Sequence, residues 1–305
     1  MARRKFDWNT VTEQIKSQDK PKSFNNAADE GLFKAQVNSD GNANILMRFL
    51  PPAPGEELPF VKKYNHGFQG VNGWFIEDCP TSIGKPCPVC KYNSSIWGSN
   101  ETQARNQKRK VSFYANILVI QDENHPENNG KVFKYRYGIK IHEKIMEKLA
   151  PESSIDEPVQ VFDFDHGANF KLKIKTVKSG PRSYPNYDSS SFNEPSAISL
   201  GNGALTDDEI EEIDAKLFKL NPIVDKENFK SYNELATKLG SKIGELIPQE
   251  GETAPAPKIA APVIEEHQSQ SFEPPKQAEV KADNFLNKDE EEDDDDFFKK
   301  LKGAG

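Results

Sequence analysis

The chain is poor in cysteine, methionine and tryptophan, with three of each in 305 residues. Three cysteines, an odd number, suit a reducing cytoplasm and a metal better than the disulfide framework of a small secreted domain. No apolar run approaches the roughly 18 residues that signal a membrane-spanning helix. Met1-Ala2-Arg3-Arg4-Lys5-Phe6-Asp7 is basic but is followed by no apolar stretch, so no signal peptide is expected. Walker loops, H-E-x-x-H and G-x-S-x-G are all missing, which removes the common signatures of phosphate-binding, metalloprotease and serine-hydrolase chemistry. Hydrophobic residues make up only 35 % and mean hydropathy is −0.76, so part of the chain is expected to stay unpacked.

The length suits one large domain or two smaller ones. A net charge of −8 conceals an asymmetry. Residues 1–150 carry 22 Lys and Arg against 16 Asp and Glu, whereas residues 151–305 carry 18 against 32. A basic front and an acidic back point to a nucleic-acid surface and a tail that opposes it.

All three cysteines lie between His66 and Cys90. Twelve residues separate His66 from Cys79, seven separate Cys79 from Cys87, and two separate Cys87 from Cys90. The last pair is a C-x-x-C knuckle in Gly84-Lys85-Pro86-Cys87-Pro88-Val89-Cys90, where Gly84, Pro86 and Pro88 predict a loop. Three cysteines and one histidine form a common tetrahedral set for structural zinc. A redox pair and inert buried thiols are the competing readings. His125, His142, His166 and His267 are alternative fourth ligands, none as close upstream. The zinc deaminases pair H-x-E with P-C-x-x-C. Pro86-Cys87-Pro88-Val89-Cys90 matches the second half, but His66-Gly67-Phe68 lacks the glutamate and His125-Pro126-Glu127 lies downstream. Catalysis is not expected.

Short β-rich runs occupy 44–50, 60–65, 73–77, 111–121, 131–137, 159–164 and 170–176, broken by Gly, Pro, Asn and Asp clusters. They predict a small barrel or sandwich. A helix over 139–149 interrupts them, with Ile141, Ile145, Met146 and Leu149 on one face and His142 at the surface. Lys171, Lys173 and Lys175 alternate with Phe170, Leu172 and Ile174 on opposite strand faces. Residues 180–191 read as a loop. Thr206 with Glu209 and Ser231 with Glu234 cap two packing helices. Their stripes are Ile210, Ile213, Leu217 and Leu220, then Leu235, Leu239, Ile243 and Leu246. A short helix follows the basic residues within 1–22, 248–288 reads as a Pro-rich linker, and Asp289–Asp296 is an unbroken acidic run before Phe297-Phe298.

Lys108-Arg109-Lys110 leads into Val111-Ser112-Phe113-Tyr114, and Lys131-Val132-Phe133-Lys134-Tyr135-Arg136-Tyr137 repeats the pattern. Single-strand binders combine cations that track phosphates with aromatic faces on which bases stack. On a regular strand Phe133, Tyr135 and Tyr137 share one face while Lys134 and Arg136 share the other, so some of these aromatics belong to a core. Tyr135, Tyr137 and Tyr187 are the candidate stackers, with Arg136 and the 108–110 cluster on phosphates.

These residues resemble the single-stranded DNA-binding, helix-destabilising proteins of T-even-type bacteriophages. Asn65-His66-Gly67-Phe68, Cys87-Pro88-Val89-Cys90, Lys108-Arg109-Lys110, Tyr114-Ala115-Asn116-Ile117-Leu118-Val119, Pro126-Glu127-Asn128, Gly130–Arg136, Gly167-Ala168-Asn169-Phe170 and Ser189–Ser196 carry the resemblance, in order, over residues 40–245. It implies an α+β protein with a mainly-β OB-fold core, a zinc-binding subdomain, flanking helices and a disordered acidic C-terminal tail. The implied division is a basic arm over 1–22, a DNA-binding core over 23–247, the linker, and a partner-binding tail over 289–305. His66, Cys79, Cys87 and Cys90 would hold one structural Zn2+. Lys108, Arg109, Lys110, Phe113, Tyr135, Arg136, Tyr137 and Tyr187 fall on DNA-contacting positions, and Arg3, Arg4 and Lys5 on the arm used for head-to-tail self-association. Polymerase, primase and helicase loader are the implied tail partners, in the cytoplasm of an infected bacterial host. The implied function is to coat and protect single strands during replication, recombination and repair. An RNA-binding translational regulator using the same groove is the alternative. The sequence departs from the family where Val111 precedes Ser112, in the arm after Lys5, and in the short Cys79–Cys87 interval.

Overall fold

A computed structural model of the chain describes residues 30–251 apart from 180, 181 and 202. The arm with Arg3, Arg4 and Lys5, the linker from 252 onward and the acidic tail lie outside the described residues.

The architecture is mixed α+β and mostly sheet. Strands β1 (Leu32–Phe33), β2 (Asn42–Phe49), β3 (Phe60–Gly70), β4 (Gly73–Asp78), β5 (Lys110–Asp122), β6 (Val132–Tyr137), β7 (Ala168–Ser179), β8 (Arg182–Asn186) and β9 (Ser191–Pro195) join in one sheet. Its main path runs β1-β6-β5-β2-β7-β8, with β3 on β5, β4 on β3 and β9 on β7. The helices are α1 (Pro88–Ile96), α2 (Glu101–Asn106), α3 (Ile139–Leu149), α4 (Asp207–Asp214) and α5 (Tyr232–Ile243).

β5 organises the sheet because both of its faces are buried. Phe113, Ala115, Ile117 and Val119 enter the main core. On the reverse face Tyr114 packs with Val61, Leu220 and Ile223, and Leu118 with Leu50, Ile198 and Ile213. A strand covered on both sides reads as a continuous apolar run, as Ile117–Ile120 does, while the buried Asn116 is satisfied by the Phe218 backbone. β7 has one wet face instead: Phe170, Leu172 and Ile174 are buried and Lys171, Lys173 and Lys175 exposed, as the alternation predicts.

A second core forms around the β3–β4 hairpin. Phe68, Phe75, Cys79, Cys87 and Val89 pack there against Leu235, Leu239 and Ile243 of α5. The hairpin turn fits under α5 because Gly70 has no side chain; a Cβ there would lie 2.4 Å from the Lys242 carbonyl oxygen. Glu77 accepts from both Lys230 and Lys238, fastening the helix to β4.

Both capping boxes are formed, Thr206 with Glu209 and Ser231 with Glu234. The stripes are shorter than expected. α4 ends at Asp214, leaving Leu217 and Leu220 beyond it, and Gly244 at φ 77° ends α5 before the fully exposed Leu246. Ser231→Ala is expected to lower stability by about 1 kcal/mol, with Ser231→Asp restoring it, measured by urea unfolding.

Three other expectations are corrected. Residues 159–164 form turns rather than a strand, because Asp163 Oδ1 accepts from the backbone of Asp165 and His166 at 2.8 and 2.7 Å. Residues 182–186 are an edge strand and not loop; Pro185 is tolerated there because the outer side of β8 needs no donor. His142 lies flat on Phe113, ring centroids 3.7 Å apart, and not free at the surface.

Arg48 is wholly buried on the reverse face of β2, where the register sets it opposite Leu118. Its Nε donates to Asn169 Oδ1 at 2.9 Å, Nη1 to the Asp163 carbonyl at 2.8 Å and Nη2 to the Ser196 carbonyl at 2.6 Å. Burial pulls its pKa down to about 10 against the opposing charges of Asp163 and Asp165.

Candidate metal centre and nucleic-acid interface

His66 comes from the middle of β3, and Cys79 from the end of β4, where its chain turns into a short 3-10 segment over Pro80–Ile83. Gly84 at φ 71° reverses the backbone after that turn. Cys87 is the extended N-cap of α1, Pro88 opens the helix, and Cys90 lies in its first turn. A C-x-x-C pair at a helix start brings both sulfurs to one side, so the four residues converge. Their ligand atoms all lie within 4.8 Å of one another, three of the residues being buried. His66 Nε2 is 3.5 Å from Cys87 Sγ and 3.5 Å from Cys90 Sγ, and Cys79 Sγ is 3.6 Å from Cys90 Sγ.

The surroundings fit a cation. His66 Nδ1 lies 2.9 Å from the Gln107 carbonyl, which can only accept. Nδ1 therefore carries hydrogen and Nε2 faces the sulfurs. Burial alone would lower the His66 pKa, but the sulfurs of Cys79 and Cys90 outweigh it and hold it up at about 9. Hydrogen bonds from Cys87 and Cys90 draw Cys79 toward thiolate, while the bonds to Cys79 and Cys90 push the Cys87 thiol up. A buried imidazole among sulfurs, one with thiolate character, is a donor set that could hold a metal ion.

The basic segment is tied to this centre twice, through Gln107 and through Arg109. Arg109 Nη1 donates to Thr81 Oγ1 at 2.8 Å, and the same hydroxyl lies 3.1 Å from Cys79 Sγ. Lys108 and Arg109 are exposed, and Lys110 is half-buried at the start of β5.

The remaining candidates divide between the sheet faces. Register pairs Phe113 with Tyr137 and Ala115 with Tyr135, and Tyr114 with Arg136, so Arg136 lies opposite the two tyrosines. Phe113, Tyr135 and Tyr137 are core residues at 1 %, 6 % and 3 % exposure; His142 of α3 stacks beside Phe113 and Tyr137, and Tyr135 packs against Phe33 and Phe49. Half-buried Arg136 donates to Ser112 Oγ at 3.1 Å, a use for the hydroxyl that follows Val111. Tyr187 is half-buried against the main core. Lys63, buried and 2.7 Å from Asp78, is neutralised within the protein.

Lys62, Tyr64, Thr81 and Gln107 were not candidates from sequence. Phe60, Lys62 and Tyr64 share a strand face by period two, which is readable. The Gln107 contact uses a backbone carbonyl and leaves no sequence signal.

Comparison with known proteins matches residues 40–243 to the family described as "gp32 DNA binding protein like". The single-stranded DNA-binding protein of Enterobacteria phage T4 is 38 % identical over 245 residues, covering 78 % of each chain. That of Enterobacteria phage T2 is 39 % identical over 223 residues, covering 71 % of each. These names denote a non-enzymatic, binding role. The matched region holds strands β2 to β9, the His–Cys centre and the basic segment fastened to it, and on that extent of similarity the chain belongs to the gp32-like family of DNA-binding proteins.

Proposed function

We propose that the chain is a cooperative, sequence-nonspecific single-stranded DNA-binding protein. It coats and protects single strands during phage replication, recombination and repair, and recruits replication proteins through its acidic tail. The observation that carries this reading is the pair of contacts fastening Gln107 and Arg109 to the His–Cys centre, within a chain of this family. A structural ion there holds the basic segment in place. Zinc is the ion proposed, since bonds of about 2.3 Å to sulfur and 2.0–2.1 Å to nitrogen give tetrahedral edges of about 3.5–3.8 Å, in line with the separations found.

The sheet is read as an OB-fold. β2 pairs with both β5 and β7, β5 pairs with β6, and α3 connects β6 to β7, a layout that supports this reading. Lys108, Arg109, Lys110 and Arg136 are assigned to phosphates and Tyr187 to a base. Phe113, Tyr135 and Tyr137 are assigned as the aromatic wall under α3. The arm residues Arg3, Arg4 and Lys5 are assigned to head-to-tail association, and the site of action is the host cytoplasm.

Matched DNA and RNA oligonucleotides distinguish this function from RNA-based regulation, because only RNA offers a 2′-hydroxyl. Equal or tighter DNA binding is expected; a strong RNA preference would replace the proposal with the regulator. The acidic run is proposed to compete with DNA for the basic surface. Truncation after Lys288 should then tighten DNA binding at low salt, and unchanged affinity would end that part of the proposal.

A further inference from the structure

Strand β3 adds Lys62 and Tyr64, which form a second cation–aromatic cluster with Arg109. Register pairs Lys62 with Phe113 and Tyr64 with Val111, so both β3 side chains lie on the sheet face that α3 covers. The cover ends there. Phe60 and Phe113 lie beneath His142, at 5.1 and 3.7 Å between ring centroids, whereas Lys62 is exposed and Tyr64 half-buried. The Arg109 guanidinium sits over the Tyr64 ring, 4.2 Å from its centroid, and Lys62 Nζ lies 5.0 Å from the same centroid. Two cations thus share one ring. The ion pairs found among the described residues include neither of them. Their mutual repulsion favours an anion at this spot. Thr81 holds the guanidinium from a second side, so little conformational entropy is lost when a ligand arrives.

We propose that Lys62, Tyr64 and Arg109 form a nucleic-acid contact site on strand β3. Arg109 keeps its N–H edge for phosphate, the planar face turned away from Tyr64 takes a base, and Lys62 contacts a second phosphate. The site rests on the single-stranded DNA-binding reading and adds to it two residues of β3 that neither motif matching nor charge clustering picks out.

The test uses the full metal-loaded chain and a fluorescent oligo-dT, titrated over a range of salt concentrations. Tyr64→Leu, which keeps apolar bulk against the hairpin core, is expected to weaken binding about five- to tenfold, while Tyr64→Phe stays within about twofold of wild type. Lys62→Gln, at an exposed position, should flatten the log–log salt dependence by about 0.7. Metal content and unfolding midpoint should stay unchanged in Lys62→Gln and Tyr64→Phe. Wild-type affinity in Tyr64→Leu with a wild-type salt slope in Lys62→Gln would overturn the site while leaving the DNA-binding reading intact. Failure of wild type itself to bind oligo-dT would overturn that reading, and this site with it.

Discussion

Metal-depleted protein, like the Cys87→Ser variant, is expected to lose protease resistance between Tyr64 and Gln107 and along α5. The strands around Phe49 and Ile117 should stay protected. The two regions have separate cores. The hairpin core of Phe68, Phe75, Val89, Leu235 and Leu239 includes Cys79 and Cys87 themselves, whereas the main core contains no metal-centre residue. Without an ion, three sulfurs and an imidazole must share protons in a buried space. Apparent binding energies of structural zinc in finger peptides, about 10–16 kcal/mol near pH 7, show how much folding such an ion can drive. Losing it should open the subdomain locally rather than unfold the chain. The opening would also free Gln107 and Arg109 from their anchors, so DNA affinity should fall in the same samples. Limited proteolysis with and without a chelator checks this; an unchanged cleavage pattern and full affinity in metal-free protein would refute it.

Arg48→Met should destabilise the protein by about 3–5 kcal/mol, because it strands several buried acceptors at once. The Asp163 and Ser196 carbonyls and the Asn169 amide oxygen all take their hydrogens from one guanidinium. Arg48→Lys should restore little, since an ammonium cannot donate along these three fixed directions. The urea unfolding midpoint is the measurement, and a loss under about 1 kcal/mol would show that water replaces the guanidinium. The loop bearing Asp163 and His166 is expected to become the first site of hydrogen exchange in either variant.

Local chemistry was readable in the sequence, and long-range cover was not. The cysteine spacing announces a metal-binding set because a tetrahedral ion constrains its ligands by distance. Residue chemistry alone leaves other histidines open as the fourth ligand; the fold places His66 Nε2 against two sulfurs. Alternation along β6 separates Lys134 and Arg136 from the aromatics correctly, as the register shows. What period two cannot say is which face a distant helix closes, so the burial of Phe113, Tyr135 and Tyr137 under α3 appears only in the fold. Pro88 opens α1 directly after Cys87 and does not continue the predicted loop, because its fixed φ and missing N–H suit the first helical position. The edge strand at 182–186 was hidden by its Pro185 and polar composition. Arg48 gives no hint of its role, for its partners lie more than a hundred residues away.

The central claim is tested most directly by titrating the metal-loaded full chain with single-stranded and duplex DNA of the same length across a salt series. Tight binding to the single strand is predicted, weaker binding to the duplex, and a log–log salt slope of about 0.7 for each phosphate neutralised. Affinity that does not respond to salt, or no preference for the single strand, would contradict it.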